Sequence, residues 1–359
     1  MRWRTVRCLC VAAVLVWILL ARTLTYARSR AVACLPLPPR WRNNASSISG
    51  RSPSAPSFVL LWSTNESSFT LRSRRCVESI FFHHPRASVR VYSNKLPKRF
   101  FSEFRQHHFD VRVVRYDVER LLRSTPAAPW LERLSEWEAG PFFYSHVTDA
   151  VRLALLFRVG GVYLDTDVLL ARPIRLAPPS RAEGATTRGM QPPTPSSMAT
   201  PSATPRPLHD ALGIESYADP RIGGPVLNGA VMAFARGSRF LWNCLHEFGA
   251  DYQPGRWGWN GPELLTRVQA RCADADGARV QVEPPEAFYP LYWDGVASYA
   301  DGLPQHAATD SAMWATIERS SYAVHVWNRK AAELTFARGS LLHRLHNTWM
   351  VLPDRSECI

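Results

Sequence analysis

The seven cysteines and eleven histidines include no C-x-x-C pair and no Cys/His cluster at ligand spacing, so a structural zinc site is not expected. No internal repeat is present, which excludes a solenoid or propeller. Acidic residues are missing from the first 51 positions, which hold nine arginines. Residues 172–207 add five arginines against one glutamate. With these two stretches set aside, the formal net charge of +13 falls to near zero over the remainder. A surface that tracks phosphates needs its Lys and Arg inside the folded domain, so nucleic acid is excluded as a partner. Acids being scarce only outside the core, the 46% hydrophobic, 20% charged and 11% aromatic composition is that of a globular protein. The 359 residues suffice for one large domain or two small ones.

A long apolar run is also lacking. The uncharged stretch 8–21 covers 14 residues after Arg2, Arg4 and Arg7, and reaches the length of a thin bilayer only when extended to 27. It reads as a signal anchor over 8–27, with residues 1–7 as a cytosolic tail and the rest of the chain lumenal. The alternative is a cleaved signal peptide, since Ala31-Val32-Ala33 has the small-x-small pattern of a processing site. Asn44-Ala45-Ser46 and Asn65-Glu66-Ser67 are glycosylation acceptors in that topology. Cys76, Cys244, Cys272 and Cys358 offer two disulfides in any of three connectivities. Cys34 offers a thiol for a bridge between two chains, hence a homodimer.

Residues 28–56, rich in Arg, Ser and Pro, read as a flexible stem before a single domain over 57–351, with 352–359 as a tail. The domain alternates: strand 58–62, helix 71–82, strand 88–92, helix 98–108, strand 111–116, helix 145–159, then strand 162–164 after Gly160-Gly161. This rhythm predicts an α/β fold with a parallel sheet covered by helices on both faces. Residues 177–207 hold eight Pro and nine Ser or Thr with no aromatic, and read as a disordered insertion. Beyond it come strand 226–234, helices 239–248 and 262–270, strand 322–327 and helix 341–349. Open α/β sheets bind ligands at the carboxyl ends of their strands, and Asp165-Thr166-Asp167 falls at such an end. Two carboxylates one residue apart make a hard-oxygen site suited to Mn²⁺ or Mg²⁺ together with diphosphate oxygens. For an isolated pair of this kind the competing explanation is a solvated turn or helix cap.

The pattern His146-x-x-Asp149-x-x-Arg152 followed by Gly160-Gly161-x-Tyr163-Leu164-Asp165-x-Asp167 resembles the DXD sugar-binding region of retaining glycosyltransferases with the GT-A fold. Val226-Leu227-Asn228-Gly229-Ala230, Trp257-Gly258-x-x-Gly261-Pro262, Pro284-Pro285-x-Ala287-Phe288-Tyr289-Pro290 and Tyr322-Ala323-Val324-His325-Val326-Trp327-Asn328 are similar to the α-1,4-glycosyltransferases that include the lactosylceramide 4-α-galactosyltransferases. The resemblance spans about 58 to 345, interrupted by the insertion. It implies a Rossmann-like mixed sheet flanked by helices, a single-pass type II Golgi location, and transfer of galactose from UDP-galactose in α-1,4 linkage to a terminal galactose of a glycolipid or glycan such as lactosylceramide. The alternatives are N-acetylglucosamine or N-acetylgalactosamine transfer on the same fold, and an inactive lumenal binding protein.

The resemblance assigns Asp165, Asp167 and His325 to the metal, with neutral imidazole an acceptable donor to Mn²⁺. It assigns Asp149, Arg152, Tyr163, Asp165, Asp167, Asn228 and Gly229 to the UDP-sugar donor. Against these stand an interior histidine at 325, an intrahelical ion pair for Asp149 and Arg152, and a simple bulge at Asn228-Gly229. Trp257 and Trp259, in a Gly-rich turn, are candidate platforms for the acceptor sugar. Glu263 is a candidate contact to an acceptor hydroxyl, or an acid at a helix start. Spacing does not choose between a carboxylate nucleophile and same-face attack, so no nucleophile is named.

Overall fold

A computed structural model describes residues 33–42, 56–176, 207–208, 210–220 and 222–353. The cytosolic tail, the anchor 8–27, Asn44, nearly all of the insertion, Cys358 and most of the tail lie outside the described residues. Among the described residues no helix is long and apolar enough to cross a membrane.

The first half follows the predicted alternation. Strands β1 (Ser57–Leu61), β2 (Ser88–Tyr92), β3 (Asp110–Val114) and β4 (Gly161–Leu164) pair in parallel in the order β3-β2-β1-β4. Helix α1 (Leu71–His83) connects β1 to β2, and α2 (Phe143–Val159) leads into β4. Both faces of β1 are buried: Val59 and Leu61 join the core under α2, whereas Phe58 and Leu60 join the core under α1. Such two-sided burial is what a continuous apolar strand requires. Gly160 and Gly161 let α2 reverse directly into β4, at φ +67° and +106°. A Cβ on Gly161 would lie 2.5 Å from the Ser57 carbonyl oxygen, so bare backbone is needed where β4 meets β1.

The second half departs from an all-parallel sheet. Strands β5 (Val168–Leu170), β6 (Ala211–Asp219), β7 (Gly224–Phe234), β8 (Gln281–Glu283) and β9 (Ala323–His325) complete the set. β7 lies antiparallel to β4 and to β6, and β8 closes the edge parallel to β6, giving a seven-stranded mixed sheet ending β4-β7-β6-β8. β5 leaves this sheet and pairs antiparallel with β9 in a two-stranded ribbon. Helices α3 (Arg239–Ala250) and α4 (Pro262–Cys272) join α2 in the layer over one face. Helices α5 (Ala307–Ser320) and α6 (Leu341–Thr348) pack around the ribbon.

Part of the expected stem belongs to this body. Cys34 forms a disulfide with Cys272, so it is not available for the expected bridge between chains. The Leu35 amide donates to Asn243 Oδ1 at 2.7 Å, Arg239 donates to the carbonyls of Cys34 and Leu35, and Trp41 packs its ring 4.7 Å from that of Phe157. Trp41 and Leu37 carry apolar surface that composition averaged over 28–56 conceals. Cys76 and Cys244 are free and buried rather than paired.

Candidate active site

The carboxyl end of β4 delivers the site. Asp165 donates its amide to the Ala230 carbonyl on β7, after which the chain turns through Thr166 into β5. The ribbon register sets Val168 opposite His325 and Leu170 opposite Ala323. Val326 donates its amide to the Asp167 carbonyl at 2.9 Å, tying the two chains beside the motif. This brings His325 Nε2 to 3.2 Å from Asp167 Oδ1. One ligand atom from each of Asp165, Asp167 and His325 falls within a 4.8 Å group. Two carboxylate oxygens and an imidazole nitrogen fit Mn²⁺ or Mg²⁺, with open positions for phosphate oxygens.

Both carboxylates are oriented by fixed partners, as metal sites require, whereas the buried Nδ1 of His325 has none among the described residues. Tyr163 donates its hydroxyl to Asp165 Oδ1 at 2.6 Å, and Arg152 Nη1 lies 3.3 Å from Asp165 Oδ2. The Asn328 amide donates to Asp167 Oδ2 at 2.9 Å. Trp327, in the left-handed region at φ +52°, turns the chain so that this amide faces back. Burial pushes the Asp167 carboxyl up, but His325 beside it outweighs this and holds it below the ordinary aspartate value. Burial likewise pushes His325 down, and Asp167 wins, raising the imidazolium. Both shifts favour the charged form of the pair, and a divalent cation would take the place of the imidazole proton.

Beside these carboxylates, α2 and β7 line the same cavity of about 750 Å³. Arg152 Nη1 donates to the Gly229 carbonyl at 2.9 Å while Nη2 faces Asp149 Oδ1 at 3.4 Å. Its buried Nε has no hydrogen-bond partner. Burial lowers the Arg152 pKa, but Asp165, Tyr163 and Asp149 more than reverse this. Asp149 is pushed up to about 7 by burial, which Arg152 opposes and Asp165 assists. The β6–β7 register jumps from Leu212↔Met232 to Gly213↔Asn228, so the expected bulge exists and turns the Gly229 carbonyl toward Arg152. A Cβ at Gly229 would meet Arg152 Nη1 at 3.4 Å and Leu265 at 3.3 Å. Asn228 donates Nδ2 to Glu215 Oε2 at 2.7 Å and accepts the Ala230 amide on Oδ1.

Asp149, Arg152, Asp165, Asp167, Asn228, Gly229, His325 and Trp257 all line this one cavity. Three other expected contacts do not. Tyr163 is fully buried and acts on Asp165 rather than on the cavity. Trp259 is buried, sandwiched between the guanidinium groups of Arg256 and Arg267 at 3.9 and 3.7 Å. Glu263 is buried and paired with Arg256 at 2.9 Å. Sequence reasoning missed Glu215, Arg329 and Lys330, which also line the cavity. Asn65 is exposed, at the start of a short 3-10 turn.

A family profile described as "Glycosyltransferase sugar-binding region containing DXD motif" matches residues 70–185, and one described as "Alpha 1,4-glycosyltransferase conserved region" matches 233–348. The Mus musculus lactosylceramide 4-alpha-galactosyltransferase is 30% identical over 297 residues, covering 78% of this chain and 70% of that protein. The chain belongs to the α-1,4-glycosyltransferase family. This transferase is also similar to the human lactosylceramide 4-alpha-galactosyltransferase, at 30% over 75% of this chain and 68% of the relative. The human alpha-1,4-N-acetylglucosaminyltransferase is 26% identical over 67% of this chain and 58% of the relative. Among solved structures, "PaToxG Glycosyltransferase" overlaps 92% of the transferase and 97% of its own chain, at 11% identity and TM-score 0.40. Asp165 and Asp167 fall inside the region matched by the DXD family profile.

Proposed function

We propose that this transferase moves galactose from UDP-galactose, in α-1,4 linkage and with retention, onto a terminal galactose of a glycosphingolipid such as lactosylceramide. The observation that carries the reading is the convergence of Asp165, Asp167 and His325 in the lining of a cavity that Asp149 and Arg152 also line. Asp165, Asp167 and His325 would hold Mn²⁺ or Mg²⁺. When bound, such a cation neutralises the negative charge that grows on the departing diphosphate. Tyr163 and Asn328 keep the two carboxylates aimed, so little reorganisation is needed when the donor arrives. Arg152 joins Asp149, Asp165 and Gly229 into one hydrogen-bonded wall, leaving the Asp149 carboxyl for sugar hydroxyls. Asn228 is held by Glu215 and contributes a fixed amide beside that wall.

The setting is a lumenal Golgi domain behind a type II anchor at 8–27, with glycans on Asn44 and Asn65. The Cys34–Cys272 disulfide supports an oxidising compartment. Incubation of the full-length protein with Mn²⁺, lactosylceramide and a panel of UDP-hexoses tests the reading. Galactosylated product with UDP-galactose supports it; product only with UDP-N-acetylglucosamine or UDP-N-acetylgalactosamine moves the donor assignment. No transfer from any donor favours an inactive binding protein.

A further inference from the structure

We propose that His146 is a positioning residue that locks the loop 253–261 onto α2, and so holds Trp257 rigidly as the acceptor-side wall of the cavity. The inference rests on the transferase reading above. His146 is fully buried in α2, one turn before Asp149. Its Nε2 lies 3.3 Å from the Trp257 carbonyl and 3.3 Å from Asn260 Nδ2; the carbonyl can only accept, and we assign the proton to Nε2 on that contact. Nδ1 therefore accepts, and the Tyr252 hydroxyl donates to it at 3.0 Å. The Asn260 amide group stands 3.2 Å from the same nitrogen.

Asn260, also fully buried, closes the base of the loop: Nδ2 donates to the Gln253 carbonyl at 2.8 Å and Oδ1 accepts the Gln253 amide at 3.0 Å. The Trp259 indole donates to the Asp251 carbonyl at 2.9 Å. At the loop's exit Gly261 packs so tightly on Asp149 that a Cβ there would lie 2.7 Å from Oδ2. The loop is thus pinned at its base, its middle and its exit, and His146 is the pin that reaches the residue exposed to the cavity. Trp257 is 40% exposed and, among the described residues, is the only exposed large apolar side chain that lines the cavity. A flat apolar face suits the C–H face of a sugar. Fixing it in advance removes the ordering cost that a mobile wall would incur at each binding event.

A histidine that only fills the core would change stability and leave acceptor recognition alone. The test uses full-length protein with Mn²⁺, UDP-galactose and lactosylceramide, measuring acceptor KM and, by calorimetry, Mn²⁺-dependent UDP affinity. His146→Leu raises acceptor KM at least tenfold with UDP affinity within twofold of wild type. His146→Gln, able to donate to Trp257 and accept from Tyr252, recovers most of the loss. Tyr252→Phe, which deletes only the hydroxyl, raises acceptor KM at least threefold and keeps the decision open should His146→Leu fail to fold. Trp257→Ala reproduces the tenfold rise. Wild-type acceptor KM in Tyr252→Phe and Trp257→Ala overturns the proposal, as does an equal loss of UDP affinity and acceptor KM in His146→Leu. Inactivity of the wild-type protein with these two substrates refutes the galactosyl-transfer reading instead.

Discussion

Asp149→Asn changes one oxygen, and its effect on stability has a sign that can be worked out. Burial in the wall of the cavity holds the folded carboxyl at about 7, against 3.8 for the ordinary side chain. Between those values the folded protein binds more protons than the unfolded chain, so stability falls as pH rises through the window. The slope from this group reaches about 1.4 kcal/mol per pH unit, and about 4 kcal/mol is lost across the window. Asparagine mimics the protonated form at every pH. The variant should therefore match wild type near pH 4 and exceed it by up to about 4 kcal/mol at pH 8, on the order of 8 °C in Tm. Transfer activity should meanwhile fall, because the group that destabilises the fold is the one offered to the sugar. Urea unfolding of both proteins in EDTA from pH 5 to pH 8 reads the difference, in which groups common to both cancel. Parallel pH curves would refute the argument that Asp149 is desolvated and charged only at a cost.

Other perturbations follow from single contacts. Tyr163→Phe removes the hydroxyl that orients Asp165, and should weaken Mn²⁺ binding tenfold or more in a calorimetric titration. Gly261→Ala places a methyl 2.7 Å from the Asp149 carboxylate, and should cut kcat/KM at least tenfold while circular dichroism stays native. Cys272→Ser opens a closure of 238 residues and should cost about 2–5 kcal/mol in urea unfolding, releasing the 33–42 segment to added protease. Wild-type protein should show no reactive thiol at Cys76 or Cys244 until denatured, because both are buried and burial raises their pKa.

The first half of the fold was legible because its signals are local. The four apolar residues of β1, the face of α2 and the Gly160-Gly161 stop each report on neighbours within a few positions. The Asp165/Asp167 pair was legible as a candidate site for the same reason: strand, turn and two carboxylates are contiguous. What pairs across long distances was not. Nothing around Val168–Leu170 announces that β5 leaves the main sheet for β9 some 150 residues later, and that pairing is what brings His325 to Asp167. The antiparallel direction of β7 was equally silent, since a buried apolar run reads the same in either direction, and β6 was hidden because Glu215, Ser216 and Asp219 interrupt its apolar residues. Trp259 and Glu263 illustrate the converse error. Their residue types suit a sugar site, but two arginines, Arg256 and Arg267, claim their side chains. Trp41 and Leu37 show how a composition average hides a docking segment inside a stem.

The measurement that bears most directly on the account is metal-dependent transfer by wild-type protein beside Asp167→Asn, with UDP-galactose and lactosylceramide after EDTA treatment. Wild type should be silent in EDTA and recover on adding Mn²⁺, whereas Asp167→Asn should stay at least a hundredfold below it at saturating Mn²⁺. Full transfer in EDTA, or wild-type turnover by the variant, would contradict the assignment of Asp165, Asp167 and His325 to a cation on the donor diphosphate.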